Sequence, residues 1–359
     1  MTVGISDSAA TIGILGSGQL GRMLAIACAQ LGVRTHIYAP DAENSPAGEI
    51  AHQTTNASYD NEEALAAFAA SVNVITSEFE NVPATVMELL AKYCPVSPGH
   101  AALHTAQHRI REKALARELG IETPKFWPIT NAKELKSAML EHGLPAILKK
   151  CTLGYDGKGQ VQITPDDDME AAFDSLYTHD AILEERVEFV AEASFLIAQN
   201  AEGETSHFPA TLNSHHNGIL AQSTAPAPLH DDVIAKGRSA VEKLAKAFEL
   251  FGLLALETFV TLDGKLLFNE IAPRPHNSFH WTIEGCATSQ FTQLARLLTG
   301  MPFGATHAYG NWQMENLLGE DMPNLPKLLI TSGVHVHLYG KTEAKIGRKM
   351  GHTNLLLST

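Results

Sequence analysis

The chain opens its readable part with a short apolar run, TIGIL at 11–15, followed by Gly16-Ser17-Gly18-Gln19-Leu20-Gly21. A helical stretch, RMLAIACAQLG, and a second strand-type run, VRTHIYA, come next. Strand, glycine-rich turn, helix, strand is a βαβ unit, and its crossover is right-handed almost without exception. Such a unit commits the chain to a parallel sheet covered by helices, an α/β start. The turn presents backbone N–H groups at a helix N-terminus, which suits any phosphate. Asp41 lies 20 residues beyond Gly21, where a dinucleotide fold places a ribose-binding acid. A tight turn with close helix packing explains the same glycines equally well. A later strand, VNVITSEFEN at 72–81, carries Glu78 and Glu80 at its C-terminal end, the end where open parallel sheets bind ligands.

Pro95, Pro98 and Gly99 interrupt the chain before a helix near 102–119, so the first domain is placed at 1–103. From 123 the texture changes. LPAILKKCTLGYDGKGQVQIT reads as two strands flanking a glycine-rich loop, followed by a helix and the strand AILEERV. This gives a small α+β unit at 104–190. The remainder, 191–359, alternates strands such as EASFLIAQN and GVHVHLYG with helices near 231–250 and 286–299.

Residues 254–278, LALETFVTLDGKLLFNEIAPRPHNS, bear most directly on chemistry. Two apolar runs joined by Leu262-Asp263-Gly264 form a hairpin. Glu257 and Glu270 lie on its neighbouring strands. A carboxylate among Leu, Phe and Ile needs a cation or a donor, because a bare buried charge is too costly. With Asn269 beside one, the acids make an all-oxygen cluster of the kind magnesium prefers. The plain alternative is a hairpin whose acids face solvent. Directly downstream, Arg274 is fixed between Pro273 and Pro275, with His276 and Asn277 next to it. A planar guanidinium there suits an oxyanion such as carboxylate, bicarbonate or phosphate.

Lys149 ends the strand AILKK, and Gly154-Tyr155-Asp156-Gly157-Lys158-Gly159-Gln160 follows. The glycines allow the loop to close over phosphates, although the G-K-[ST] ending of a Walker loop is absent. Glu184-Glu185-Arg186-Val187 offers an acid and backbone groups for an adenine and a ribose. Lys345, Arg348 and Lys349 gather three cations in five residues. This stands out in a chain with 26 Lys and Arg against 40 Asp and Glu, a net charge of 26 − 40 = −14. That balance argues against a nucleic-acid surface, which needs basic excess. Four isolated cysteines without a CxxC pair leave zinc ribbons and redox motifs unsupported, and reduced thiols in the cytosol are expected. No run approaches the ~18 apolar residues of a membrane span. The N-terminus also lacks the charged and apolar regions of a signal peptide. His335 and His337 alternate with valines and read as structural.

Together these features resemble the ATP-grasp superfamily and, within it, the N5-carboxyaminoimidazole ribonucleotide synthetases. GSGQLGRML, SEFENVP, GYDGKGQ, NEIAPRPHNSFHWT and GRKMGH stand in the order that family uses and cover nearly the whole chain. The resemblance implies an ATP-grasp fold: a Rossmann-like N-terminal domain, a small α+β lid and a larger C-terminal α+β domain. It implies a cytoplasmic homodimeric ligase using Mg2+, ATP, bicarbonate and 5-aminoimidazole ribonucleotide. It assigns Glu257 and Glu270 to the metal. It assigns Arg109, Lys149, residues 154–160, Glu184, Glu185, Arg186, Val187, Glu192, His215, Asn269 and Glu270 to ATP. Arg274, His276 and Asn277 would hold bicarbonate or carboxyphosphate, with Tyr155 and Asp156 at the reacting amine. Gln19, Leu20, Glu78, Lys341, Arg348 and Lys349 would bind the ribonucleotide. Related enzymes usually continue past NLLLST into a helical tail. The rivals are an NAD-dependent dehydrogenase built on GSGQLG and Asp41, a different ATP-grasp ligase such as a formate-dependent purine transformylase, and a non-catalytic nucleotide-binding protein.

Overall fold

The βαβ unit forms as the sequence dictates, in a computed structural model that describes residues 10–142, 145–154 and 159–358. Strands β1 (Thr11–Leu15), β2 (Arg34–Ala39), β3 (Gln53–Asn56), β4 (Val74–Ser77) and β5 (Val96–Ser97) make a parallel sheet in the order β3-β2-β1-β4-β5. Ile12, Ile14 and Leu15 are fully buried, as expected for a strand covered on both faces. The helix Gln19–Gln30 buries Leu20, Met23, Leu24, Ala27 and Cys28 along one stripe. That stripe meets the C-terminal helix Gln290–Leu298, so Leu24 shares a core with Phe279, Trp281, Phe291 and Leu294. The parallel sheet is therefore welded to the C-terminal part of the chain, and a fixed crevice lies between them.

The small sheet comprises β6 (Phe126–Ile129), β7 (Ala146–Lys150), β8 (Gln160–Ile163) and β9 (Ala181–Glu185), antiparallel in the order β6-β9-β7-β8. Its own core, Leu135, Met139, Leu148, Ile163, Phe173 and Leu183, is separate from the others. Glu184 and Glu185 end β9, so the strand read as AILEERV stops before Arg186 and Val187. The expected helix near 102–119 is two, His100–Ala106 and Arg109–Glu118. The second packs not on the small sheet but under the large one, where Ala116 and Ile121 join Phe195, Leu254 and Phe268.

The large sheet is formed by β10 (Ala191–Gln199), β11 (Thr205–His207), β12 (Thr211–His216), β13 (Ile219–Ala225), β14 (Gly252–Val260), β15 (Leu266–Ala272), β16 (Asn311–Leu318), β17 (Val334–Leu338) and β18 (Lys349–Ser358). Its order is β15-β14-β10-β12-β13-β16-β18-β17, with β11 added beside β10. The β14–β15 hairpin turns as expected: Gly264 donates to the Thr261 carbonyl at 3.0 Å with a φ of +75°. Among the described residues, no helix is long and apolar enough to cross a membrane.

Candidate active site

Glu257 and Glu270 are register partners across β14 and β15. The register slips at Thr258, which pairs with Phe268, so Asn269 is the extra residue of a bulge. A bulge leaves a backbone group without its ladder partner. Here the Asn269 carbonyl accepts from Lys113 Nζ at 2.7 Å. Burial and the Glu270 charge push the Glu257 carboxyl up to about 8. Glu270 stays below the usual carboxylate range, because Arg109 Nη1 stands 3.2 Å from its Oε2 and outweighs burial. His276 Nε2 lies 3.1 Å from Glu257 Oε1, and its Nδ1 accepts from the Ser278 N–H. Burial, with Arg274 nearby, keeps this imidazole neutral, so Nε2 carries the proton and donates to Glu257. His215 pairs with Glu192 on the same face. That pair raises the His215 pKa against burial.

The lid supplies a buried ion network. Lys149 Nζ is 2.8 Å from Glu184 Oε2, and Lys113 Nζ is 3.4 Å from Glu184 Oε1. Burial opposes it, yet Lys113 and Lys149 hold Glu184 down to about 2. Glu112, one residue before Lys113, accepts from the Ile271 N–H at 3.2 Å and is pushed up to about 8 by burial. One helical turn thus carries a cation to the lid and a carboxyl to the base of the acid pair.

At the parallel sheet the glycine turn is not a phosphate cradle. Glu78 Oε1 accepts from the Gly18 N–H at 2.8 Å and Oε2 from the Gly21 N–H at 3.1 Å. The amides expected to meet a phosphate are occupied by the protein's own carboxylate. The glycines are needed for that approach: a Cβ on Gly16, whose φ is +104°, would stand 2.5 Å from Glu78 Oε1. This also removes the pyrophosphate seat of the dinucleotide alternative, and Asp41 accepts instead from Ser17 Oγ at 2.7 Å. Across the crevice, Arg274 is held by Glu80, with Nε 3.1 Å from Oε2. The side-chain nitrogen and oxygen of Asn277 are buried without a protein partner. Buried polar atoms of that kind ask for a ligand.

All three regions open on one cavity of about 870 Å3, lined among others by Gln19, Leu20, Glu78, Arg109, Gly154, His215, Glu257, Glu270, Arg274, His276, Asn277 and Lys349. Three family models match in succession. A ribonucleotide synthetase preATP-grasp domain matches residues 9–107, an ATP-grasp domain 114–291 and a phosphoribosylaminoimidazole carboxylase C-terminal domain 313–359. The N5-carboxyaminoimidazole ribonucleotide synthase of Brucella melitensis biotype 1 is 45% identical over 344 residues, covering 95% of each chain. The chain belongs to the N5-carboxyaminoimidazole ribonucleotide synthase family. It also matches the bifunctional purine synthesis protein purC/E of Dictyostelium discoideum at 44% identity over 365 residues, spanning 36% of that longer protein. A crystal structure of an N5-carboxyaminoimidazole ribonucleotide synthetase as its ADP complex superposes with a TM-score of 0.93 at 38% identity, covering 98% of this chain and 93% of that one.

Within this synthase fold, the remaining expected residues are placed as follows. Lys149, Glu184, Glu192 and Asn269 are not cavity-lining residues: Glu192 pairs with the lining His215, and Lys113 links Glu184, the partner of Lys149, to the Asn269 carbonyl. Glu185, Arg186 and Val187 sit at the end of β9, where the backbone N–H groups of Glu185 and Arg186 are taken by Lys125 and Pro145 carbonyls. Gln160 starts β8 opposite Lys149, and Gly159 just before it accepts from the Lys150 N–H at 2.9 Å. Lys341 Nζ donates to the Lys349 carbonyl at 2.7 Å, and Arg348 Nη1 to the Glu343 carbonyl at 3.0 Å. Tyr155, Asp156, Gly157 and Lys158 lie outside the described residues. Lys113 and Glu112 are site contributors that the sequence did not single out, whereas Glu80, placed by sequence at the ligand-binding strand end, finds its partner in Arg274. Glu112, Lys113 and Ala116 share one helical face, all three buried, and the charges on that face hide it from a reading of hydrophobic pattern.

Proposed function

We propose that the chain carboxylates 5-aminoimidazole ribonucleotide to N5-carboxyaminoimidazole ribonucleotide, consuming ATP and bicarbonate and releasing ADP and phosphate. One observation carries this reading. A single cavity joins the opposed acids Glu257 and Glu270 to the Arg274–His276–Asn277 corner and to the glycine turn with Glu78. An ATP end, an oxyanion end and a ribonucleotide end thereby share one space.

The acid pair suits a divalent cation. Two facing carboxyls, one pushed up to about 8 by burial and by its neighbour, carry a repulsion that a cation relieves. Mg2+ held by Glu257 and Glu270 would neutralise charge on the ATP phosphates. Arg109 and Lys149 add fixed positive charge beside them. A bicarbonate oxygen attacks the γ-phosphorus and the bond to ADP breaks, leaving carboxyphosphate. Arg274, oriented by Glu80, and the unpartnered Asn277 amide hold that anion. Its C–O bond to phosphate then breaks, the exocyclic amine forms the C–N bond, and the amine loses a proton. His276 stays neutral and steadies Glu257. Gln19, Leu20 and Glu78 would meet the imidazole ribonucleotide, and Lys341, Arg348 and Lys349 its phosphate. Tyr155 and Asp156 keep the role the family resemblance gives them, excluding water that would hydrolyse carboxyphosphate. Domain limits of 1–103, 104–190 and 191–359, a homodimer and a cytoplasmic location belong to the same proposal.

ADP release with ATP, Mg2+, bicarbonate and aminoimidazole ribonucleotide, each omitted in turn, tests it. Full turnover is expected only with all four. Release indifferent to the ribonucleotide, or thermal stabilisation by NADH but not by Mg-ATP, would overturn it.

A further inference from the structure

His108, Cys151 and Asp180 come together at the seam between the lid and the helix that carries Arg109. One ligand atom from each lies within 4.8 Å of the others. The three are drawn from separate elements and are fixed by backbone bonds. The Arg109 N–H donates to the Cys151 carbonyl at 3.0 Å, and the Cys151 N–H to the Asp180 carbonyl at 3.1 Å. The Asp180 N–H donates to Thr178 Oγ1 at 3.1 Å. Their side chains converge from this frame: His108 Nε2 is 3.0 Å from Asp180 Oδ2, and the Cys151 sulfur lies within 4.8 Å of a ligand atom of each. The other ring nitrogen of His108 is buried and meets no protein partner. Asp180 is half exposed, which gives an ion a route in, whereas Cys151 is buried.

We propose that these three residues form a second cation site, for a thiophilic divalent ion of the zinc type. Sulfur, imidazole and carboxylate are the donors such an ion takes, and three of them leave a fourth position open. Mg2+ prefers oxygen and small octahedral shells, so it does not compete here. Binding displaces the thiol hydrogen of Cys151: the thiol becomes a thiolate ligand and one proton passes to solvent. Burial and Asp180 hold that thiol above its ordinary range, so the proton is present beforehand. The bound ion ties the ends of β7 and β9 to the residue before Arg109 and so clamps the lid onto the body.

The test is Co2+ and Zn2+ titration of the full chain in buffer containing excess Mg2+. Expected are one ion per chain, a thiolate-to-cobalt charge-transfer band, and release of one proton per ion, read from binding heats in buffers of different ionisation enthalpy. Cys151→Ser removes the band, and Asp180→Asn, which keeps shape, weakens zinc binding. Glu270→Gln and Cys94→Ser leave the band in place. Absence of the band in the wild-type protein, or its persistence in a folded Cys151→Ser variant, overturns the proposal.

Discussion

Glu257 and Glu270 face each other directly across the β14–β15 ladder, and their carboxyls are driven in opposite directions. Burial and its partner's charge push Glu257 up to about 8. Arg109, 3.2 Å away, holds Glu270 down against burial. Glu270 remains ionised and 43% exposed to the cavity, whereas Glu257 is 12% exposed and leans on His276. The two acids are thus unequal before any cation arrives.

Glu270→Gln preserves size and removes the ionised member of the pair. Loss of a metal-binding charge takes several kcal/mol from phosphoryl transfer, so ADP formation is expected to fall about 10²-fold or more. Circular dichroism should remain that of the wild type. Near-normal turnover would contradict the metal assignment.

Glu257 makes the metal-free protein less stable as pH rises. Its folded pKa of about 8 lies above the ordinary 4.5, so the folded state holds the proton more tightly. The contribution is fully present below 4.5 and is lost as pH climbs through about 8. Glu112, also raised to about 8, acts in the same sense. Glu184, lowered to about 2, works only at the acid end, where its contribution is lost as pH falls below 4.5. The thermal midpoint without metal should therefore decline from pH of about 5 to about 9, and Glu257→Gln should flatten the decline. A midpoint that rises over that interval would refute the assignment.

The acid hairpin was readable because all its determinants are local: an Asp-Gly turn, alternating apolar residues and acids at fixed spacing. The glycine turn was readable as a turn, but not as the seat of Glu78, since its two acceptor contacts span 57 and 60 residues. No periodicity announces a carboxylate arriving from another strand. Lys113 shows the same limit. RIREKALARE reads as a charged surface helix, yet Lys113 is fully buried because β15 lies across it and Glu184 comes to it from the lid. Charge in a helix was legible; the partner that makes its burial tolerable was not.

Lys113→Met should be strongly destabilising. It removes one of two cations from the buried Glu184 and the donor from the bulge carbonyl of Asn269. Breaking a buried pair by removing one partner costs about 3–5 kcal/mol. Chemical denaturation should show that loss, and Lys113→Met combined with Glu184→Gln should recover part of it. No recovery in the double variant would mean that Lys113 acts through packing alone.

Gly16→Ala tests the seat of Glu78. The new methyl meets Glu78 Oε1 at 2.5 Å and sits on a residue with φ +104°. Positive φ in a residue with a side chain costs about 1–3 kcal/mol before the clash is counted. Destabilisation and a raised KM for aminoimidazole ribonucleotide, with ATP affinity held, are expected. An equal effect on ATP would show that the turn serves the wrong substrate.

Arg348→Ala addresses the far end of the ribonucleotide. Arg348 is half-buried, and its guanidinium donates to the Glu343 carbonyl within its own loop. Its neighbour Lys349 lines the cavity, so a phosphate reaching Lys349 is one residue away from it. Removing a charge-assisted contact of this kind costs about 1.5–3 kcal/mol, a rise of about 10- to 100-fold in the KM for the ribonucleotide. Stability should change little, because the lost internal bond is exposed. Steady-state kinetics with each substrate varied separately decides the matter: a change confined to the KM for ATP would take the phosphate role away from Arg348.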